Sequence, residues 1–243
     1  MDYKEHQIKW TNEKVSRFWD YSSKNENATY FAQDVGENIL ELVGKHFVLK
    51  GDTLDYGCGN GFLIEYLLKK NIGNVNGCDF SVNSVDYVNS KFKDEKKFRG
   101  CIQLEQLPSE IKNNSFDNIF FLETIEHLLD EYFDITLYEL NRILKKGGYI
   151  VLTTRNNENL KNLEVICPDC GGIFHRVQHV KSFTPQDIIQ IMSDSGFKKV
   201  YCDVHNLGET SYNMVYYLKK IYHFINPLKT SHKSNLIYIG QKI

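Results

Sequence analysis

The amino-acid sequence predicts a doubly wound α/β fold. From about residue 50 onward, short apolar runs alternate with segments of helical period, a pattern typical of parallel strands joined by helices. Right-handed crossovers then place helices on both faces of one sheet. A glycine-rich turn directly follows the first apolar run. With 243 residues, 42% of them hydrophobic, the chain is long enough to bury one large core.

Seven of the apolar runs are predicted strands. In chain order they are Thr53–Tyr56, Val75–Cys78, Phe98–Leu104, Asn118–Phe121, Tyr149–Thr153, Lys199–Val204 and Leu236–Ile239. Segments of helical period lie between most of them, at Gly61–Lys70, Val82–Lys91 and Tyr132–Leu144, and a last helix is predicted over Glu209–Phe224.

We divide the chain into an N-terminal helical cap, residues 1–46, and a main domain, residues 47–243. Aromatic residues in the cap either cover a ligand or dock the cap on the sheet; we favour docking for Phe18 and Trp19, and a lid for Tyr21 and Tyr30. Residues from about 156 to 185 break the alternation and contain cysteines and histidines. They are predicted to form an insertion before the sixth strand, over the carboxyl edge of the sheet, where open α/β sheets bind ligands.

Charge and cysteine content exclude several classes of protein. The 29 basic and 31 acidic residues leave no basic excess, which argues against a nucleic-acid partner. No apolar run approaches a membrane span and the N-terminus is polar, so we expect a soluble cytoplasmic protein without a signal peptide. Six scattered cysteines do not make a disulfide scaffold. We expect Cys58, Cys78, Cys101 and Cys202 to be small buried residues.

The glycine-rich turn has Gly57, Gly59 and Gly61 at alternate positions after the first strand. Glycines there allow a tight turn and a close approach of a ligand to the backbone. Phe62 occupies the place of the third glycine in GxGxxG, so this is not the nicotinamide-binding motif, and the turn also lacks the lysine of a phosphate-binding loop. Asp79 ends the second strand, where an acid can accept hydrogen bonds from a ribose diol.

These residues resemble the class I S-adenosylmethionine (SAM)-dependent methyltransferases over about residues 35–204. The matching segments are DYGCGNG at 55–61, Asp79, LEQLP at 104–108, SFDNIFFLETIEHL at 115–128 and LKKGGYIVLTT at 144–154. The resemblance implies a seven-stranded Rossmann-like methyltransferase sheet and SAM as cofactor. The SAM-binding residues that it implies are Asp55, Gly57, Cys58, Gly59, Gly61, Asp79, Phe80, Gln103, Leu104 and Leu122.

By this resemblance, the glycines lie against the methionine part of SAM and Asp79 holds the ribose hydroxyls. Phe80 would cover the adenine face and Leu104 its edge, while Leu122 lines the pocket near the methyl group. Many relatives have Asp where this chain has Gln103, whose amide can still serve the adenine amino group.

A second group of polar residues follows the fourth predicted strand. Glu123, Glu126 and His127 are predicted to begin a helix, where positions i, i+3 and i+4 share one face and the side chains converge. A simpler interpretation is a helix start anchored by a Glu-His pair, since acids in a first turn are favoured by the helix dipole.

With His179, this group is similar to the small-RNA terminal 2′-O-methyltransferases, in which such a cluster holds a divalent metal against vicinal hydroxyls. The implied metal ligands are Glu123, Glu126, His127 and His179. Two carboxylates and two imidazoles suit Mn²⁺ or Mg²⁺, with Fe²⁺ or Zn²⁺ as competitors. The candidate catalytic residues are His127, His179 and Glu123; without metal, a histidine would be the general base.

A second possible metal site, formed with Cys167 and Cys170, would use the same histidine, His179. With His175 and His179 the cysteines spell C-x2-C-x4-H-x3-H, which suits a tetrahedral structural Zn²⁺, although the gap between the pairs is short. The third interpretation is a turn with free thiols. The stretch also resembles bacterial methyltransferases of surface-polysaccharide gene clusters, which implies that the insertion belongs to the acceptor site.

We therefore expect a metal-assisted O-methyltransferase. Its acceptor would be small and polar, a sugar or sugar-linked group of a bacterial surface glycan. The alternatives are an RNA 2′-O-methyltransferase, a quinone or phenol O-methyltransferase, and a cofactor-binding protein without turnover. The sequence predicts no oligomeric state.

Overall fold

The computed structural model describes residues 3–24, 30–207 and 235–243. The strands are β1 His6–Gln7, β2 Gly51–Tyr56, β3 Gly73–Asp79, β4 Phe98–Gln103, β5 Phe116–Leu122, β6 Leu144–Arg155, β7 Glu164–Ile166, β8 Gly172–His175, β9 Phe197–His205 and β10 Asn235–Lys242. The α-helices are α1 Asn12–Lys24, α2 Phe31–Val43, α3 Phe62–Lys70, α4 Val82–Lys91, α5 Asp130–Ile143 and α6 Pro185–Asp194.

The main sheet has seven strands in the order β4-β3-β2-β5-β6-β10-β9. Strands β2 to β6 are parallel, and β10 is antiparallel to both β6 and β9. All seven predicted strands are present, so the predicted sheet is confirmed. The reversal of strand order between β2 and β5 opens a crevice at the carboxyl ends of these strands, where such sheets bind ligands.

Both faces of the sheet are covered, as the fold class requires. On the central strand β5, Phe120 packs in one apolar cluster with α2, α3 and α4, and the next residue, Phe121, packs in a second cluster with α5 and α6. Successive strand residues point to opposite faces, so β5 is apolar at consecutive positions. Because α2 contributes Val35, Ile39 and Val43 to the first cluster, part of the predicted cap belongs to the core of the main sheet.

The structure contains a small peripheral sheet that the sequence analysis did not predict. The N-terminal segment contains β1 as well as helices, and β1 pairs in parallel with β8, which in turn pairs antiparallel with β7. A strand of two residues has no period that a sequence pattern can reveal. The helix predicted over Glu209–Phe224 lies outside the described residues.

The insertion begins and ends at one point beside β6. Asn156 pairs with Phe183 in an isolated parallel bridge, and Asn157 N–H donates to the Phe183 carbonyl at 2.8 Å. Thr184 then starts α6 with a capping box and Pro185 in its first turn. The bridge between Asn156 and Phe183 joins the two ends of the insertion and keeps it at the carboxyl edge of the sheet. No helix in the described ranges is long and apolar enough to cross a membrane.

Candidate active site

The glycine-rich turn is held in a conformation that other residues rarely adopt. Gly57 and Gly59 have φ of 80° and 50°. A Cβ on Gly57 would lie 2.8 Å from Thr124 Oγ1, so no side chain fits there. The N–H groups of Gly57 and Cys58 donate to the Cys78 carbonyl at 2.8 and 3.0 Å. The turn is therefore fastened to the end of β3.

Asp79 is buried at that strand end and holds the turn from the other side. Its Oδ2 accepts the Gly59 N–H and its Oδ1 accepts the Ser81 N–H, both at 2.9 Å. Burial raises the pKa of Asp79, while these N–H groups act against the rise. Each carboxylate oxygen keeps acceptor capacity for a further donor such as a hydroxyl. The arrangement fits the predicted contact with a ribose diol.

The expected adenine side of the site lies at the ends of β3 and β4. The Leu104 N–H donates to the Asp79 carbonyl at 2.8 Å, and the Gln103 Nε2 donates to the Phe80 carbonyl at 3.4 Å. Phe80 is exposed. Leu122 is buried at the end of β5. An exposed aromatic ring beside a buried carboxylate and a positive-φ turn is a suitable cradle for a nucleoside.

Residues of the N-terminal cap lie over the glycine-rich turn. The Tyr30 ring is 3.4 Å from where a Gly59 Cβ would be, and it packs against Phe62 with centroids 5.3 Å apart. From α1, the Asp20 Oδ1 accepts hydrogen bonds from Ser81 Oγ at 3.1 Å and Asn83 Nδ2 at 3.0 Å. Tyr30 is thus placed as the lid interpretation expects. Tyr21, the other expected lid residue, is 74% exposed.

The Glu123–His127 segment does not begin an α-helix, so that prediction is wrong. Glu123 has a φ of 45°, a single 3-10 turn covers Ile125–His127, and α5 begins only at Asp130. The reason is that the Glu123 N–H donates to the Thr153 carbonyl of β6 at 3.0 Å, which keeps the backbone attached to the sheet one residue beyond β5. The side chains therefore converge by a turn rather than along a helical face.

Glu126, His127 and His179 still come together. Each offers one ligand atom, and these atoms all lie within 4.8 Å of one another. Among the described residues, Glu123 stands outside this set, and its buried Oε1 has no hydrogen-bond partner there. Both buried carboxylate oxygens of Glu126 likewise have no hydrogen-bond partner in the described part of the chain. Buried polar atoms are nearly always satisfied, so the chemistry of this donor set fits a divalent cation.

Burial favours the neutral forms of the ionisable groups in this cluster. Burial raises the pKa of Glu126 well above its ordinary value, and the charge of Glu123 adds to the rise. Burial lowers the pKa of His127 to about 3, with a further contribution from His179. The His127 Nδ1 donates to the Gln178 carbonyl at 3.3 Å, which leaves Nε2 as a lone-pair donor to a metal. His127 is therefore a neutral imidazole rather than a charged one.

Sequence reasoning missed two residues of this site, Glu158 and Gln178. The Glu158 carboxylate accepts a short hydrogen bond from His179 Nδ1, and with His175 and His179 it forms a second cluster whose ligand atoms lie within 4.8 Å. Gln178 is fully buried with a φ of 60° and its Nε2 donates to the His127 carbonyl at 3.2 Å. The only sequence signal for Glu158 is its place just after the fifth predicted strand.

The alternative zinc site is not assembled. Among the described residues, neither Cys167 nor Cys170 belongs to a cluster of three or more possible ligands, and the two histidines turn toward Glu158. The Cys167 N–H donates to the Gly172 carbonyl at 2.8 Å, so the cysteines lie in the turn before β8, and His175 lies at that strand's far end. Neither thiol forms a disulfide bond.

The other cysteines follow the prediction with one exception. Cys58, Cys78 and Cys101 are buried, whereas Cys202 is half-buried on β9. The expectation of a buried Cys202 is therefore wrong, because among the described strands β9 is at the edge of the sheet and pairs only with β10.

Comparison with known proteins gives a family for the central part of the chain. Residues 54–152 match the model of a methyltransferase domain. The mitochondrial ubiquinone biosynthesis O-methyltransferase of Dictyostelium discoideum is 31% identical over 186 residues, 69% of this chain and 55% of that protein. The tRNA N(3)-cytidine methyltransferase of Gallus gallus is 26% identical over 158 residues, 60% of this chain and 43% of that protein. The chain thus spans about half the length of these curated relatives.

Solved structures share the fold across almost the whole chain. A SAM-dependent methyltransferase from Clostridium acetobutylicum has a TM-score of 0.61 at 15% identity, covering 94% of this chain and 98% of that one. The cyclase SpnF has a TM-score of 0.63 at 15% identity, covering 99% of both chains. At this identity the likeness concerns the fold alone, and a cyclase within it shows that the fold does not determine the reaction. Taken together, the sheet, the glycine-rich turn with Asp79 and the family match identify residues 54–152 as a methyltransferase domain.

Proposed function

We propose that this chain transfers the methyl group of SAM to a hydroxyl, with a divalent cation held by Glu126, His127 and His179 and with Glu123 beside them. One observation carries the proposal: among the described residues, both buried oxygens of Glu126 have no hydrogen-bond partner, and a ligand atom of Glu126 lies within 4.8 Å of ligand atoms of His127 and His179. Carboxylate and imidazole ligands suit Mn²⁺ and Fe²⁺ as well as Zn²⁺. When bound, the cation would lower the pKa of an acceptor hydroxyl.

In this proposal, the chain's own residues bind SAM and orient the acceptor. Asp79 is positioned to accept ribose hydroxyls, since its two oxygens are already oriented by the N–H groups of Gly59 and Ser81. Gly57 and Gly59 allow the methionine part to approach the backbone. Holding an acceptor oxygen in line with the methyl group contributes most of the rate acceleration, roughly 7–11 kcal/mol in well-oriented reactions. Trp19 packs edge-on against His127 at 4.9 Å and excludes water from that side of the cluster.

A hydroxyl-bearing ring with neighbouring oxygens is the acceptor that we favour. Glu126, His127 and His179 would hold a cation that favours acceptors rich in oxygen, and Trp19 supplies an apolar wall beside His127. Two kinds of acceptor expected from the sequence have this form, sugars and phenols or quinols. The ubiquinone biosynthesis O-methyltransferases among the relatives favour the phenol class, while the glycan acceptor stays a prediction.

A nucleic-acid acceptor is the second candidate. It is supported by the tRNA methyltransferase among the relatives, and it is opposed by a net charge of -2. Binding of RNA with a steep salt dependence would favour it over the small acceptor.

The test measures cation binding, SAM binding and methyl transfer separately. Mn²⁺ and SAM binding are each measured by calorimetry on chelator-treated protein. We expect about one Mn²⁺ per chain, lost in Glu126→Gln and kept in the control Cys170→Ser, with SAM binding unchanged in both. Methyl transfer to catechols, methyl glycosides and RNA is then assayed with and without Mn²⁺. Protein that binds SAM but no Mn²⁺, and that methylates equally with chelator present, would overturn the cation-assisted mechanism.

A further inference from the structure

We propose that Glu158 is a positioning residue that holds His179 in the Nδ1–H tautomer, so that Nε2 presents its lone pair to Glu126 and His127. This inference rests on the proposed function, since it concerns the same cluster. It adds a residue that lies on the opposite side of the ring from the candidate cation.

The hydrogen bond between the two side chains assigns the tautomer. The His179 Nδ1 and the Glu158 Oε2 form a short hydrogen bond, and His179 is 8% exposed. A carboxylate has no hydrogen to give, so the hydrogen of this bond lies on Nδ1. A neutral imidazole with Nδ1–H has its lone pair on Nε2. That atom lies 3.9 Å from the Glu126 Oε1.

His175 lies beside the other oxygen of the Glu158 carboxylate. The His175 Nδ1 accepts the backbone N–H of His179 at 3.2 Å, so the ring of His175 carries its hydrogen on Nε2. This buried Nε2 has no hydrogen-bond partner among the described residues, and it lies 3.7 Å from the Glu158 Oε1. The two rings stack with centroids 4.6 Å apart and planes inclined by 14°. Glu158 thus lies between two imidazole N–H groups, hydrogen-bonded to that of His179 and attracted by that of His175 without a hydrogen bond.

The alternative is that Glu158, His175 and His179 themselves hold a cation. These three residues do offer ligand atoms within 4.8 Å of one another. The two roles exclude each other at one atom, because His179 Nδ1 cannot both donate a hydrogen to Glu158 and give its lone pair to a metal. The tautomer of His179 in the cation-free protein therefore decides between them.

A carboxylate behind a metal-binding histidine orients the ring and makes its free nitrogen more basic. Loss of such a partner typically weakens metal binding by about 10–100-fold. We expect this effect for Glu158→Ala. Glu158→Gln keeps an oxygen that accepts from His179 Nδ1, so it should retain the tautomer and most of the affinity.

The first measurement is the tautomer, read without metal or turnover. Two-bond ¹H–¹⁵N correlation spectra are recorded on cation-free protein labelled with ¹⁵N-histidine, and the His179 signals are assigned by their loss in His179→Gln. We expect Nδ1–H in the wild type and in Glu158→Gln, and a shift toward Nε2–H in Glu158→Ala. Nε2–H in the wild type, or an unchanged spectrum in Glu158→Ala, would overturn the proposal.

The second measurement is Mn²⁺ affinity by calorimetry on the same proteins. The matched control is Glu164→Gln, which removes an exposed carboxylate of β7 in the same insertion and should bind like the wild type. Thermal melts verify that each variant is folded. Undiminished affinity in folded Glu158→Ala would overturn the positioning role. If the wild type binds no Mn²⁺ yet shows the Nδ1–H form only when Glu158 is present, the cation site fails and the tautomer assignment stands.

Discussion

Trp19 and Gln178 form a hydrogen bond across 159 residues of sequence: the indole Nε1 donates to the Gln178 Oε1 at 2.9 Å. Gln178 in turn donates from Nε2 to the His127 carbonyl, so α1 is linked to the histidine cluster through one buried amide. Helix α1 has no buried residue of its own. Its position therefore depends on the edge-on packing of Trp19 against His127 and on a few polar contacts at the edge of the site.

Trp19→Phe should loosen α1. It leaves the Gln178 Oε1 without its donor, and an unsatisfied buried acceptor costs about 1–3 kcal/mol. We expect faster amide hydrogen exchange across residues 12–24 and a higher KM for the acceptor. Tyr21→Phe, at an exposed position of the same helix, is the control. Equal exchange in Trp19→Phe and wild type would mean that other contacts hold the helix.

Asp79→Asn should weaken SAM binding by about 10–100-fold, since hydrogen bonds to a charged group are worth about 1.5–3 kcal/mol. The amide also loses one acceptor for the N–H groups of Gly59 and Ser81. Calorimetric titration with SAM measures the effect, and Asp86→Asn on the exposed side of α4 is the control. SAM affinity that survives in Asp79→Asn would place the ribose elsewhere.

Asp55 should make stability depend on pH. Burial, with the charge of Asp79, raises the pKa of Asp55 from 3.8 to about 8. The folded protein then binds a proton that the unfolded chain has released, so the free energy of unfolding falls as pH rises between these values, by at most about 1.4 kcal/mol per pH unit. Asp55→Asn should flatten this decline, leaving the smaller contribution of Asp79, whose pKa is also raised by burial.

Urea unfolding of wild type and Asp55→Asn at several pH values between 5 and 8 measures the two slopes. Parallel curves would show that Asp55 has an ordinary pKa in the folded protein.

Glu126→Gln should stabilise the cation-free protein and abolish its response to cations. The wild-type carboxylate is buried with both oxygens unpartnered, a penalty of about 1–3 kcal/mol that a neutral amide reduces. Thermal melts with and without Mn²⁺ measure both effects. We expect the Tm of the wild type to rise with Mn²⁺, and that of Glu126→Gln to start higher and stay constant. A lower Tm for cation-free Glu126→Gln would show that Glu126 stabilises the fold without a cation.

Local patterns of apolar residues in the sequence account for the strands of the main sheet and for helix α4. The strands of the sheet are short apolar runs, and α4 occupies Val82–Lys91 as its period predicts. The same patterns wrongly predicted that a helix begins at Glu123–His127. Periodicity counts spacings but does not register the hydrogen bond from Glu123 to Thr153 that keeps the backbone on the sheet. Local sequence patterns also did not predict the pairing of β1 with β8, because that pairing depends on contact between segments that are distant in sequence.

The sequence by itself determined the α/β class, the glycine-rich turn and the place of Asp79, because each follows from neighbours along the chain. Only the tertiary structure decided which of the possible metal-binding side chains lie close together. Cys170 and His175 are close in sequence, yet β8 separates them, since each strand residue adds about 3.3 Å. Glu158 and His179 are 21 residues apart in sequence. Their side chains form a hydrogen bond because the bridge between Asn156 and Phe183 brings the chain back to the end of β6.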